Sequence, residues 1–241
     1  MIVSAITELR RRYESVLERL EAACLACGRP RNDVALVAVS KFCSARAVSE
    51  IAAAGQADFG ESYVLEALAK REDLAKVPHC AGIRWHMVGH VQTRKAAQTA
   101  GVFALVHSLD SVRSAAAFER RLLVSGSRQA VLAQVNTAGE LQKSGVRPEE
   151  LFALVDYITE QCPHLELRGL MCLPPVFDAG EAARPHFARL YALRESLRSR
   201  LGLALPELSM GMSGDFAAAV AEGATLVRIG TDIFGVRSEN R

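Results

Sequence analysis

Long hydrophobic runs and an excess of charge of one sign are both absent from this chain of 241 residues. No apolar run is long enough to span a bilayer, and Glu8 and Arg10 interrupt the amino-terminal segment before a secretory signal could form. The 29 basic and 27 acidic residues nearly cancel, which argues against the strongly basic surface typical of nucleic-acid or anionic-membrane binding. The composition therefore predicts a cytoplasmic protein with neither nucleic acid nor membrane as a partner.

Cysteines arranged for metal binding are also lacking. Of the six cysteines, Cys24 and Cys27 form the single C-x-x-C match, late in a helical pattern and without a second pair. A zinc site needs four ligands and a thioredoxin-type motif needs a preceding strand, so we interpret both as small apolar residues of a helix. No metal site is predicted, and the cysteines of a cytoplasmic protein should be reduced.

What the chain does contain is a regular alternation of strand and helix patterns, after a helical pattern over residues 2–27. The predicted strands are residues 34–40, 57–60, 83–88, 102–106, 130–135, 165–171, 205–210 and 225–229. Eight strands separated by helices predict an α/β fold, a (β/α)₈ TIM barrel over residues 34–235, in a single domain (1–241) with an extra N-terminal helix (1–28). A doubly wound open sheet is the alternative, but no G-x-G-x-x-G follows the first strand.

Side chains that could cap helices follow three of these strands. Ser44, Asp110 and Ser213 each precede a helical pattern, and Ser and Asp are favoured at the N-cap because their oxygens accept free backbone N–H groups. All three are therefore predicted to begin helices.

Lys41 closes the first predicted strand, at the barrel end where active sites of this fold are built. Burial there would favour the neutral amine, which is the nucleophile of Schiff-base chemistry. The alternative is a lysine whose ammonium group reaches solvent just beyond the strand.

The segments after the seventh and eighth strands carry residues suited to binding phosphate. Gly211 and Gly214 allow close backbone approach, and Ser213 offers a hydroxyl at a predicted helix start. Gly230 and Thr231 add a second amide and hydroxyl, and these two loops form the usual phosphate site of the barrel fold. Taken singly, each residue is equally consistent with a plain turn or cap. Together with Lys41 they favour a phosphate-bearing carbonyl compound as ligand.

Arg228 alternates with apolar Val227 and Ile229, which places it in or near the barrel interior. A buried guanidinium stays charged and needs an acceptor. The acceptor is either a carboxylate of an internal ion pair or an atom of a ligand.

Taken together, these segments resemble the pyridoxal-phosphate homeostasis protein family, a resemblance that covers about residues 34–235. The matching segments are Ala38–Lys41 (AVSK), Phe59–Tyr63 (FGESY), Trp85–Gly89 (WHMVG), Gln134–Asn136 (QVN), Lys143–Gly145 (KSG), Arg168–Met171 (RGLM), Leu208–Ser213 (LSMGMS) and Val227–Gly235 (VRIGTDIFG). The chain departs from the family pattern at Ser62, where the family usually has Asn, and at His90 and Arg94.

The resemblance implies a barrel similar to the N-terminal domain of bacterial alanine racemases, with pyridoxal 5'-phosphate (PLP) held covalently by Lys41 as an aldimine. It implies that Ser213, Gly230 and Thr231 hold the phosphate and that Arg228 faces the pyridine nitrogen. We expect further pocket residues at Met212, Ser62 and His86, although a structural, hydrogen-bonded role competes for His86.

Three functions follow as hypotheses. The resemblance favours a non-catalytic carrier of PLP in vitamin B6 homeostasis, a monomer with PLP-dependent apoenzymes as recipients. A weak PLP-dependent amino-acid racemase is the alternative, but the six residues after Gly235 leave no room for the racemases' second domain and its tyrosine base. An aldolase-like barrel acting on a sugar phosphate is the third hypothesis.

Overall fold

The computed structural model describes residues 7–140, 142–175 and 177–236 and shows one closed barrel of eight parallel strands. The strands follow one another around the barrel in chain order, and β1 closes the ring by pairing with β8. Their bounds are β1 Ala35–Val39, β2 Asp58–Glu61, β3 Arg84–Met87, β4 Leu105–Leu109, β5 Gln129–Val135, β6 Leu165–Cys172, β7 Glu207–Ser209 and β8 Leu226–Ile229. The predicted TIM barrel is confirmed, and the open doubly wound sheet is wrong.

Helices cover the outside of the barrel. Their bounds are α1 Glu8–Ala26, α2 Ala45–Ala53, α3 Val64–Leu74, α4 Ala96–Thr99, α5 Val112–Ser125, α6 Leu151–Gln161, α7 Arg184–Leu201, α8 Phe216–Ala221 and α9 Thr231–Phe234. Short 3₁₀ turns lie at Arg31–Asp33, Pro78–Cys80, Thr93–Lys95, Pro148–Glu150 and Gly180–Ala183. In the part of the chain that the structure describes, no helix combines the length and the hydrophobicity that crossing a membrane requires.

Helix α1 is the predicted N-terminal addition to the barrel. Thr7 caps it by accepting a hydrogen bond from the Arg10 amide at 3.2 Å. Val16, Leu20 and Cys24 lie on its buried face, which packs against α8 and α9. Residues 2–6 of the predicted helix lie outside the described residues. Cys24 is thus a core residue, and within the described ranges no group of three or more His, Cys, Asp or Glu side chains is arranged to hold a metal ion.

Strand side chains alternate between two separate apolar cores. Leu36 and Ala38 belong to the large core between the barrel and its helices, whereas Val37 belongs to a smaller cluster with Leu132 and Met171. Because successive side chains of a strand point to opposite faces, the smaller cluster fills the barrel interior. The same alternation directs a set of polar side chains inward, and these build the site described below.

The predicted starts of the fourth strand, the seventh strand and the helix after β4 are wrong for local reasons. The fourth strand begins at Leu105 rather than residue 102, because the Val102 amide still bonds to Thr99 O in the turn that ends α4. The seventh strand cannot begin at Leu205, whose φ of +39° is left-handed. The helix after β4 is capped by Ser111, which accepts from the Ser114 amide at 3.2 Å.

Asp110 and Ser213 were therefore the wrong caps, while Ser44 was the right one. Asp110 instead pairs with His90 at 3.1 Å. Ser44 accepts from the Ala47 amide at 3.2 Å. Helix α8 begins after Asp215, two residues beyond Ser213.

Candidate functional site

A cavity of about 990 Å³ opens at the carboxyl ends of the barrel strands. Loops following β1, β2, β3, β5, β6, β7 and β8 all contribute to its wall. The predicted site residues on this wall are Lys41, Ser62, Met212, Ser213, Arg228, Gly230 and Thr231. The structure therefore brings together residues that are up to 190 positions apart in the chain.

Lys41 lies two residues beyond the end of β1 and is half-buried in the cavity wall. The Ser40 amide before it bonds to Gly60 O at 2.9 Å, which ties the end of β1 to β2. Phe42 after it has a φ of +62°, a left-handed conformation that is rare for a non-glycine residue. The backbone thus turns sharply at Lys41, and the side chain leaves the strand toward the cavity.

A buried ion cluster holds the backbone on both sides of Lys41. Lys70 of α3 donates to Ser40 O at 2.6 Å and to Glu61 at 2.8 Å, and the Ser40 hydroxyl donates to the same carboxylate at 2.6 Å. Glu66 accepts from the Phe42 amide at 2.5 Å and from Lys70 at 2.6 Å. Burial raises the pKa of Glu61, and Lys70 and Ser40 partly offset that rise.

Sequence reasoning overlooked Lys70, although a signal was present. Ala67, Lys70 and Leu74 lie three and four residues apart on the buried face of α3, so a lysine interrupts an apolar stripe. A buried lysine needs a carboxylate partner. The matching acid stood in the FGESY segment as Glu61.

The loop between β7 and α8 is bound to the last strand by its backbone. The Arg228 amide donates to Gly211 O at 2.9 Å. Gly211 has a φ of +92°, and a Cβ there would lie 2.6 Å from the Cβ of Ala219, so only glycine fits. The Asp215 carboxylate accepts from the Met212 amide at 2.5 Å. These contacts leave Ser213 half-buried on the cavity wall rather than at a helix cap.

The loop after β8 ends at once in the short helix α9, which the sequence patterns had not predicted. Gly230 precedes the helix and Thr231 is its first residue. The amides of Ile233 and Phe234 both bond to Gly230 O, whereas the first N–H groups of a helix have no partner within it. Gly230 and Thr231 thus place backbone donors and a hydroxyl on the wall that also carries Ser213.

Arg228 lies at the cavity floor, 4% exposed. Its Nη1 donates to the Ser209 hydroxyl at 2.6 Å and its Nη2 donates to Cys172 O at 2.9 Å. No carboxylate of the described residues lies within ion-pair distance of it, so the internal ion pair considered from the sequence is wrong. Burial lowers the pKa of Arg228, but a guanidinium starts so high that it remains protonated.

His86 does not line the cavity; it is buried inside the barrel below it. Its Nε2 lies 3.0 Å from Asp58 Oδ1, and its Nδ1 lies 2.9 Å from His107 Nε2. His107 Nδ1 in turn lies 2.8 Å from the Ser209 hydroxyl that Arg228 contacts. The pocket position predicted for His86 is therefore wrong, and the structural, hydrogen-bonded alternative fits.

Two members of this internal chain, Asp58 and His107, differ in charge. Burial opposes ionisation of Asp58, but hydrogen bonds from His86 and Arg84 outweigh burial and lower the pKa of this carboxyl group. Burial is the main cause that holds the pKa of His107 well below its usual value, and the nearby charge of Arg228 acts in the same direction. At neutral pH Asp58 is thus a carboxylate and His107 a neutral imidazole.

Comparison with known proteins places this site in a family. Residues 18–238 match the family model of the alanine racemase N-terminal domain. A pyridoxal phosphate homeostasis protein of Pseudomonas aeruginosa is 44% identical over 92% of this chain and 93% of its own. The one from Aquifex aeolicus is 40% identical over 94% of this chain and 97% of its own. A PLP-bound structure of PipY from Synechococcus elongatus is 36% identical, with a TM-score of 0.79 over 91% of this chain and all of that one.

The fold and the match together define a barrel of the alanine racemase N-terminal class. Within that class, the chain belongs to the pyridoxal phosphate homeostasis protein family.

Proposed function

We propose that this protein binds PLP, holds it covalently on Lys41 and serves in its intracellular homeostasis. The observation that carries the proposal is the shared cavity, which is lined by an amine, two loops of anion donors and a guanidinium. The likeness to PipY, whose structure contains PLP, supports the choice of ligand.

The donor set fits the three functional parts of PLP. An aldehyde carbon accepts a lysine amine, which Lys41 offers. A phosphate dianion suits the amides and hydroxyls of Ser213, Gly230 and Thr231. A ring nitrogen with a free lone pair suits Arg228, which can donate but never accept. Ser62 and Met212 would complete the walls of the pocket.

Arg228 also bears on catalysis. PLP supplies an electron sink whose strength grows when its ring nitrogen is protonated. A carboxylate at that position would retain the proton, whereas Arg228 favours the unprotonated ring. We infer that this site binds and protects the cofactor without efficient catalysis, with weak racemisation as the alternative. A monomeric cytoplasmic carrier that supplies PLP-dependent apoenzymes is the corresponding role.

The visible spectrum of the purified protein with added PLP tests the proposal. Wild type should show the absorption band of a lysine-linked cofactor, and borohydride reduction should fix a mass adduct on Lys41. Lys41→Ala should lose both, because alanine has no amine to form the imine at this position. Lys95→Ala is the matched control, since Lys95 also lines the cavity, and it should keep both. An adduct on another lysine of the wild-type protein would show that Lys41 is the wrong residue.

Racemisation of the alanine, serine and lysine enantiomers separates the two candidate roles. A carrier should give no turnover beyond that of free PLP. Turnover that depends on Lys41 would favour the racemase. Turnover of a sugar phosphate with no coloured cofactor would instead favour the aldolase-like hypothesis.

A further inference from the structure

Inside the barrel, hydrogen-bond partners link the amino-terminal end to the cavity floor. Asp58 is the first residue of β2 and Arg84 the first of β3, whereas Ser209 ends β7 and Arg228 lies in β8. Between them stand His86 and His107, with every link between 2.6 and 3.0 Å. As whole residues, the five members of this series are at most 8% exposed: Asp58, His86, His107, Ser209 and Arg228. Water therefore has little access to these contacts.

With one proton on each imidazole, the chemistry of the two ends sets the direction of every bond. The Asp58 carboxylate only accepts, so His86 Nε2 carries the proton that it donates to Asp58. His86 Nδ1 then accepts, so His107 Nε2 is the donor between the rings. His107 accepts at Nδ1 from the Ser209 hydroxyl, and Ser209 accepts from Arg228, which only donates. Each of the three inner groups, His86, His107 and Ser209, uses one donor and one acceptor, so no two donors face each other.

We propose that Ser209, His107, His86 and Asp58 form a one-directional hydrogen-bond relay that positions Arg228 and connects its charge to a carboxylate across the barrel. The relay rests on the proposed function, because it specifies how Arg228 is presented to the ligand. These four are positioning residues and none of them lines the cavity.

Charge at the two ends supports the relay. Arg228 is a buried cation whose protein partners at its terminal nitrogens are a hydroxyl and a carbonyl. Successive hydrogen bonds that all point one way polarise one another, so the anion at Asp58 strengthens the acceptor at Ser209. Arg84, whose side chain is 60% exposed, in turn binds Asp58 at the outer end. The relay thus stabilises Arg228 with no carboxylate of the described residues at ion-pair distance from it.

Among the described residues, no carboxylate lies at ion-pair distance from Arg228, and this matters for the ligand. A carboxylate beside Arg228 could capture a proton or attract the N–H groups away from the cavity. Because the carboxylate of Asp58 lies at the opposite end of the relay, Arg228 presents only donors to the cavity floor. The site therefore selects an aromatic nitrogen with a free lone pair and disfavours the protonated heterocycle.

Nitrogen-15 NMR of the full-length protein labelled at histidine tests the direction directly, with or without PLP. We expect His86 and His107 each to show a protonated Nε2 and an unprotonated Nδ1 at neutral pH. His86→Gln and His107→Gln assign the two sets of signals. A protonated Nδ1 on His107 would overturn the relay, since it would reverse the bond to Ser209.

Ser209→Ala tests whether the relay reaches the ligand. Removing this hydroxyl should alter the His107 Nδ1 resonance, shift the visible band of bound PLP and weaken PLP retention by about fivefold or more. Thr99→Val is the matched control, because it removes a buried hydroxyl that bonds to Lys95 O outside the barrel interior. An unchanged band and retention in Ser209→Ala would contradict the proposal. Failure of wild type to bind PLP would contradict the proposed function alone, because the NMR result on the unloaded protein would stand.

Discussion

Lys41 and Arg228 make opposite demands on their surroundings. In the proposed function Lys41 acts as a nucleophile and gives up a proton, whereas Arg228 acts by keeping all of its protons. Lys41 is half-buried in the cavity wall, and Glu61, Lys70 and Glu66 fix the backbone beside it. Arg228 has buried acceptors at Ser209 and Cys172. The two residues are therefore supported by separate polar networks.

Substitution of Ser213 tests whether the loop between β7 and α8 binds the phosphate of PLP. Ser213→Ala should weaken PLP retention by about 1–3 kcal/mol, because a hydrogen bond to a charged group is lost. Dialysis followed by spectroscopic titration measures the change. Ser125→Ala, a hydroxyl deletion on the exposed side of α5, is the control and should bind like wild type. Equal retention in both variants would remove Ser213 from the phosphate site.

Single residues were predictable where their place in a strand forced a choice. Lys41 lies at a strand end and Arg228 lies inside an apolar strand, and a charged side chain at such a position indicates a partner or a ligand. His107 and Ser209 gave no such signal, because His107 lay beyond the predicted end of the fourth strand and Ser209 is small and neutral. Their roles depend on which strands face each other across the barrel, and no local pattern contains that information.

At the scale of elements, the strands were predictable and several helix starts were not. Strands such as β1 and β5 stand out because their apolar runs are typical of strands that are buried on both faces. Helix starts depend on which of two neighbouring polar residues turns its oxygen toward the free amides. Ser111 caps α5, whereas the carboxylate of Asp110 pairs with His90. Such competition is settled by tertiary contacts.

Strand β6 contains a position where the barrel requires glycine. Gly169 faces Glu207 of β7 beside an irregularity in the β5–β6 register, and a Cβ there would lie 1.9 Å from Glu207 O. Gly169→Ala should therefore cost about 3 kcal/mol of unfolding free energy or more, since neighbouring strands must separate.

Gly202→Ala is the matched control for that experiment. Gly202 has a φ of +65° at the end of α7, and apart from the adjoining backbone no atom of the described chain lies within 4 Å of the point where a Cβ would stand. It should lose only about 1–2 kcal/mol, the cost of a left-handed alanine. Urea unfolding of both variants measures the difference, and equal losses would show that the close approach of β6 and β7 can relax.

The whole molecule was the most predictable level, because the barrel depends on repetition rather than on detail. Eight strands separated by helices leave few topologies, and connections between parallel strands are short and of one hand. An error of three residues at β4 does not alter the count of strands. The cavity follows from the same geometry, since every loop after a strand meets at one end.

Ligand binding should therefore stabilise the molecule as one unit. PLP at about 100 times its Kd should add about 2.7 kcal/mol to the unfolding free energy, because it binds only the closed barrel. For a chain of this size the melting temperature should rise by about 5–11 °C. Pyridoxal, which lacks the phosphate, and inorganic phosphate, which lacks the aldehyde, should each give a smaller rise at equal concentration. An equal rise with inorganic phosphate alone would mean that the loops of Ser213 and Thr231 bind an anion independently of Lys41.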